Sequence, residues 1–121
     1  MVLVDTSVWI RFVYGRDPYV RELDHLLAHS EVAAHELVYG ELLIGDPGGQ
    51  RSFLQTYRLL HQAPLVPHAE VVELVHSRHL QGRGLSWIDV HLLASALVSR
   101  FELWSADTAL AAVSRELGIA Y

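Results

Sequence analysis

The chain has 121 residues, 51% of them hydrophobic, with no cysteine and a formal net charge of −5 from 14 acidic against nine basic residues. That length fits one domain over residues 1–121, and that composition excludes a disordered chain, a disulfide scaffold, a thiolate nucleophile and a zinc site of cysteine type. Every basic residue is arginine, which removes P-loop and Schiff-base lysine chemistry, and the acidic balance argues against nonspecific coating of nucleic acid.

Val2–Val4 is an apolar run expected to form a buried strand. Asp5 ends it too early for an export signal, and no other stretch reaches the roughly 18 apolar residues of a membrane span, so a cytoplasmic chain without membrane contact is expected. Thr6 or Ser7 is placed to cap a helix over residues 8–12. Asp17 as N-cap with Pro18 at the first helical position predicts a helix to about His29, turning Val20, Leu23, Leu26 and Leu27 inward. Val32–Ala34 reads as a second strand, Glu36–Ile44 as a helix closed by Gly45, and Asp46-Pro47-Gly48-Gly49 as a turn. Phe53, Leu54, Tyr57 and Leu60 mark another helical stripe, and Leu65 with Val66, bracketed by prolines, a third strand. Residues 68–81 predict a helix with Val71, Leu74 and Val75 inward, ending at the turn Gly82-Arg83-Gly84. Ser86 is the N-cap of a helix to about Ser99 that buries Leu92, Leu93, Ala96 and Leu97. Leu103 and Trp104 form a fourth strand, residues 107–117 a last helix stopped by Gly118, and residues 119–121 a final strand. Strands alternating with helices define an α/β fold, a mostly parallel sheet flanked by helices on both faces.

Asp5 and Asp107 each follow a strand, at the edge where open α/β sheets hold ligands, although an aspartate there also serves as a helix cap. Glu41 follows Leu37 by four residues and Val38 by three and precedes Ile44 by three; Asp89 precedes Leu92 by three and Leu93 by four. Both therefore share the apolar stripe of their helices, where an acid needs a partner. Arg83 and Arg100 lie at the two ends of the Asp89 helix, off that face. Four carboxylates that converge must take up protons or bind a cation. Mg²⁺ or Mn²⁺ suits an all-oxygen set that leaves room for water and phosphate. Such ions polarise a scissile phosphate and activate water, singly or as a pair about 3.5–4 Å apart. The chemistry favoured is phosphodiester hydrolysis, with no serine, cysteine or histidine nucleophile required.

The strings VLVDTSVW, LVYGELLIG, GLSWIDVHLLASAL and LWSADTAL, in that order over nearly the whole chain, resemble the toxins of VapBC toxin–antitoxin modules, which are PIN-domain ribonucleases. The resemblance implies a PIN-like three-layer α/β sandwich with a central parallel sheet. It also implies a four-acid metal site at Asp5, Glu41, Asp89 and Asp107, with Ser7 and Ser105 supporting the first and last acids. The activity implied is that of a Mg²⁺-dependent endoribonuclease, usually a homodimer, inhibited by a cognate antitoxin whose C-terminal segment covers the groove.

Two other readings stay open at this level. One keeps the chemistry with a different substrate, a DNA nuclease or small-molecule phosphatase; the other is a noncatalytic binding module whose acids only cap helices or pair with arginine. A phosphoacceptor receiver is disfavoured by the absent lysine, and the D-x-D-x-T phosphatase signature by Ser7 at its second aspartate. His76 and His79, an i,i+3 pair, read as surface histidines rather than ligands, and His35 and His91 as packed or solvated. Glu36 reads better as complementing its helix dipole than as approaching the metal, and Trp9, Trp87 and Trp104 are assigned to the core, with base stacking by Trp87 near Asp89 as the minor alternative. Arg11, Arg51, Arg58 and Arg83 are candidates for contact with RNA or antitoxin.

Overall fold

The computed structural model describes residues 1–46 and 51–121. Its elements run β1 (Val2–Val4), α1 (Thr6–Val13), α2 (Tyr19–Ala28), β2 (Val32–Ala34), α3 (Glu36–Ile44), α4 (Arg51–Tyr57), β3 (His61–Gln62), α5 (His68–Arg78), α6 (Trp87–Ser99), β4 (Glu102–Trp104) and α7 (Thr108–Glu116). The sheet is all parallel with strand order β3-β2-β1-β4. Leu3 pairs with Ala33 on one side and Leu103 on the other. Every residue of β1 and β2 is buried, and successive side chains of a strand point to opposite faces, so helices cover both sides of the sheet. Among the described residues no helix is long and apolar enough to cross a membrane.

Aromatic packing holds α1 to α4. Trp9 is 1% exposed and meets Phe12, Phe53 and Tyr57 at centroid distances of 5.7, 5.4 and 5.3 Å. Its indole nitrogen is buried without a hydrogen-bond partner among the described residues, an omission of about 1–3 kcal/mol. Burying roughly 200 Å² of indole returns about 5 kcal/mol, so the ring stays inside.

Several boundaries differ from the sequence reading. The third strand is His61–Gln62, not Leu65 and Val66, because Pro64 and Pro67 deny that segment the amide donors of a ladder. Ala63 instead continues the pairing by donating its amide to the Ala34 carbonyl at 2.7 Å. The edge strand is polar and exposed, so hydrophobicity carried no signal for it. The expected strand at 119–121 is a single bridge, Leu103 to Ala120. Helix α1 begins at Thr6 with Asp5 in the cap position, so neither Thr6 nor Ser7 caps it. Helix α2 is capped by Pro18 rather than Asp17, whose carboxylate still accepts from the Arg21 amide at 3.3 Å. Ile44, expected on the inner stripe of α3, is 88% exposed. That helix is apolar nearly all round, and periodicity could not choose its face. The turn assigned to 46–49 falls mostly outside the described residues.

Candidate metal centre

The strand order reverses direction of travel at β1, with β2 and β3 laid down on one side and β4 on the other. Such a switch point opens a crevice beyond the carboxyl ends of the strands. Asp5, directly after β1, is 5% exposed. Its amide donates to the Trp104 carbonyl at 2.9 Å, carrying the β1–β4 ladder one residue past the strands. Its Oδ2 accepts from the Ser7 hydroxyl at 2.7 Å and the Ser105 hydroxyl at 2.8 Å. Ser7 Oγ in turn accepts from the Ala106 amide at 2.9 Å, and Ser105 Oγ from the Asp107 amide at 3.0 Å. Each hydroxyl has one proton, and Asp5 receives it. Both serines therefore support Asp5, while Ser105 reaches Asp107 only at its backbone amide.

The other acids come from three helices. Thr6, the first residue of α1, donates its hydroxyl to Glu41 Oε1 on α3 at 2.6 Å. Asp89 is the third residue of α6 and closes a capping box: Ser86 Oγ accepts from the Asp89 amide at 3.1 Å, and Asp89 Oδ2 accepts from the Ser86 amide at 2.9 Å. Asp107 caps α7, its Oδ1 accepting from the Leu110 amide at 2.9 Å. The expectation that Asp5 and Asp107 double as caps thus holds in side-chain terms for Asp107 alone. Asp89, read from sequence as an acid without a partner, has one in the Ser86 amide.

One pattern runs through the four acids. Each gives one carboxylate oxygen to a protein donor and leaves the other without a donor among the described residues. The ion pair found among those residues, Arg83 with Glu116 at 2.8 Å, involves none of them. Burial raises the Asp89 pKa, and the charges of Asp5 and Asp107 raise it further, against the opposing Ser86 amide. The three aspartates therefore share one electrostatic neighbourhood, to which Thr6 ties Glu41. Among the described residues no three His, Asp or Glu side chains close on one point as a metal cage. Spare oxygens from hard carboxylates on a crevice wall fit an ion that keeps much of its water, as Mg²⁺ does, rather than one fully enclosed by protein.

A second polar cluster orients α3. His35 is fully buried; its Nδ1 accepts from the Leu37 amide at 3.1 Å, capping the helix. Ser95 Oγ donates to the Pro64 carbonyl at 2.6 Å, so its contact with His35 Nε2 at 2.9 Å is one in which the imidazole donates. That assigns the neutral Nε2–H tautomer. The Tyr57 hydroxyl accepts from the His35 amide at 2.9 Å and donates to the His35 carbonyl at 3.3 Å. Burial, and secondarily the His91 imidazole, lowers the His35 pKa from 6.5 to about 4, and burial holds the Tyr57 phenol well above its usual range. This cluster links the helix bearing Glu41 to the helix bearing Asp89.

Other sequence assignments divide. His76 and His79 are exposed, and Glu36 lies in the first turn of α3 as expected. Trp9 is core, but Trp87, the first residue of α6, is 42% exposed. Arg83 is engaged with Glu116. Arg11 donates to the Ser7 carbonyl at 2.9 Å and lies over Tyr19, and Arg58 lies over Tyr39. Sequence reasoning missed Thr6 as the partner of Glu41. It also missed the Ser86-x-x-Asp89 box, whose spacing was visible.

The chain matches the PIN domain over residues 2–116 and belongs to that family. Ribonuclease VapC32 of Mycobacterium tuberculosis, in strains CDC 1551 / Oshkosh and H37Rv, is 42% identical to it over 99% of this chain and 95% of the relative. Within the family, the chain is therefore of VapC type. PAE2754 from Pyrobaculum aerophilum, known from its crystal structure, shares the fold with a TM-score of 0.59 at 19% identity, over 92% of this chain and 82% of its own.

Proposed function

We propose that this chain is the toxin of a type II toxin–antitoxin module, an endoribonuclease that uses Mg²⁺ or Mn²⁺ held by Asp5, Glu41, Asp89 and Asp107. PIN-domain ribonucleases are in general divalent-metal dependent, and the four acids here carry that requirement well. The observation that supports it most is the shared pattern of one anchored and one open carboxylate oxygen at the switch point of the sheet. When bound, the ion supplies Lewis-acid polarisation of the phosphodiester and lowers the pKa of an attacking water. The protein does the positioning. Ser7 and Ser105 fix the rotamer of Asp5, Thr6 fixes Glu41, and the Ser86 amide fixes Asp89. The two serine hydroxyls that donate to Asp5 also accept backbone amides, which makes them struts rather than nucleophiles.

The partners that follow are an RNA strand, a cognate antitoxin and a second copy of the chain, in the cytoplasm. An apolar cavity beside Glu41, lined by Ile10, Val13, Tyr14 and Leu42, supports a protein inhibitor that reaches the acids from that side. The net charge of −5 favours a basic one. The test is cleavage of single-stranded RNA, structured RNA and DNA side by side, with Mg²⁺, Mn²⁺ and EDTA, using the wild type and Asp5→Asn. RNA should be cut only by the wild type with metal, and only the wild type should arrest growth. DNA cut while RNA stays intact sinks the toxin reading.

A further inference from the structure

Trp87 is the first residue of α6, two positions before Asp89, and the only tryptophan of the chain that is substantially exposed, at 42%. Its ring is not loose. His91, one turn further along α6, meets it edge-on at 5.1 Å and 89°, and His68, the first residue of α5, meets it at 5.1 Å and 53°. Neither contact is a face-to-face stack, and between the two imidazoles the indole keeps much of its surface exposed. His91 is itself 7% exposed, with Nδ1 buried and without a hydrogen-bond partner among the described residues. The result is a large aromatic side chain, flanked by two imidazoles and partly open to solvent, in the same helical turn as one of the metal-site acids.

We infer that Trp87 is the stacking platform for a nucleobase of the substrate strand, seating the base next to the phosphodiester presented to Asp89. The inference rests on the ribonuclease reading above and names a subsite of it. A chain with a net charge of −5 gains little from a polyanion by counterion release, so an uncharged contribution to holding the strand is needed. Every base has a π-face, and stacking on an aromatic side chain is worth roughly 5- to 150-fold in affinity. A braced ring loses little rotamer freedom when the base arrives.

The test uses single-stranded RNA oligonucleotides in which each base in turn is replaced by an abasic site, cleaved by the wild type, Trp87→Phe and Trp87→Ala. Trp87→Ala should raise KM about tenfold with kcat nearly unchanged, and Trp87→Phe should lie between. The loss should be independent of salt. One abasic position should raise the wild-type KM to a similar degree and add nothing in Trp87→Ala. Separately, an RNA octamer titrated into Asp5→Asn protein should quench tryptophan emission, and the quench should vanish when Trp87→Phe is added. Unchanged KM in a folded Trp87→Ala protein, or quenching that persists without Trp87, overturns the inference. So does a Trp87→Ala effect confined to oligomeric mass or antitoxin affinity. If the wild type cuts no RNA, the ribonuclease reading fails on its own, and the quenching titration still decides the stacking.

Discussion

Acid should loosen this protein through His35. In the folded chain the imidazole is neutral: Nδ1 accepts from the Leu37 amide and Nε2 donates to Ser95, so a second proton has nowhere to go without breaking the cap of α3. Its pKa is lowered from 6.5 to about 4, mainly by burial. The unfolded chain therefore binds the extra proton between roughly pH 6.5 and 4 while the folded chain does not, and stability falls as pH falls through that window. Above about pH 6.5 the contribution is fully present. The loss amounts to about 2 kcal/mol by pH 5 and roughly 3 kcal/mol once complete. His91, also lowered by burial, acts in the same direction. Asp89, raised by burial and its acidic neighbours, acts in the opposite one, because the folded chain takes up its proton first. His35→Asn isolates the imidazole, since asparagine can still cap α3. It should lower stability at pH 7.5 by about 1–3 kcal/mol through the lost Ser95 bond and the smaller side chain. Urea unfolding at pH 7.5, 6 and 5 should then show the gap between the two proteins closing by about 2 kcal/mol. Parallel decline of wild type and variant would refute the reasoning.

Other expectations follow from the anchored carboxylates. Thr6→Val removes the hydroxyl held by Glu41 and should lower kcat about tenfold, with Thr6→Ser restoring most of it, as measured on a fluorogenic RNA. Ser7→Ala and Ser105→Ala act on the same oxygen of Asp5, so the double variant should deviate from the product of the single effects in a kinetic double-mutant cycle. Asp89→Asn keeps an acceptor for the Ser86 amide while removing a charge that its neighbours disfavour; activity should vanish while Tm stays level or rises, as calorimetry would show. Millimolar Mg²⁺ should raise the wild-type Tm by ligand linkage and leave that of Asp89→Asn nearly still.

The sequence by itself determined the alternation of strands and helices, the acidic and lysine-free charge set, and the identity of the acids that end β1 and β4 or ride on α3 and α6. Those features are local: a short apolar run before an aspartate, or an acid at helical spacing from leucines, is legible without knowing its neighbours. Only the tertiary structure decided what each acid leans on. Thr6 and Glu41 are 35 residues apart, and Ser105 and Asp5 are 100 apart. Nothing in either segment states that a parallel pairing of β1 with β4 will set a serine of one against the aspartate of the other. Tertiary packing also overruled two local expectations. The polar pair His61 and Gln62 took the edge of the sheet because prolines disarmed the apolar segment after it, and Trp87, at the first position of α6, stayed largely exposed beside His68 and His91. Hydrogen bonds and excluded volume between distant segments set these outcomes, and neither is encoded in the periodicity of a single element.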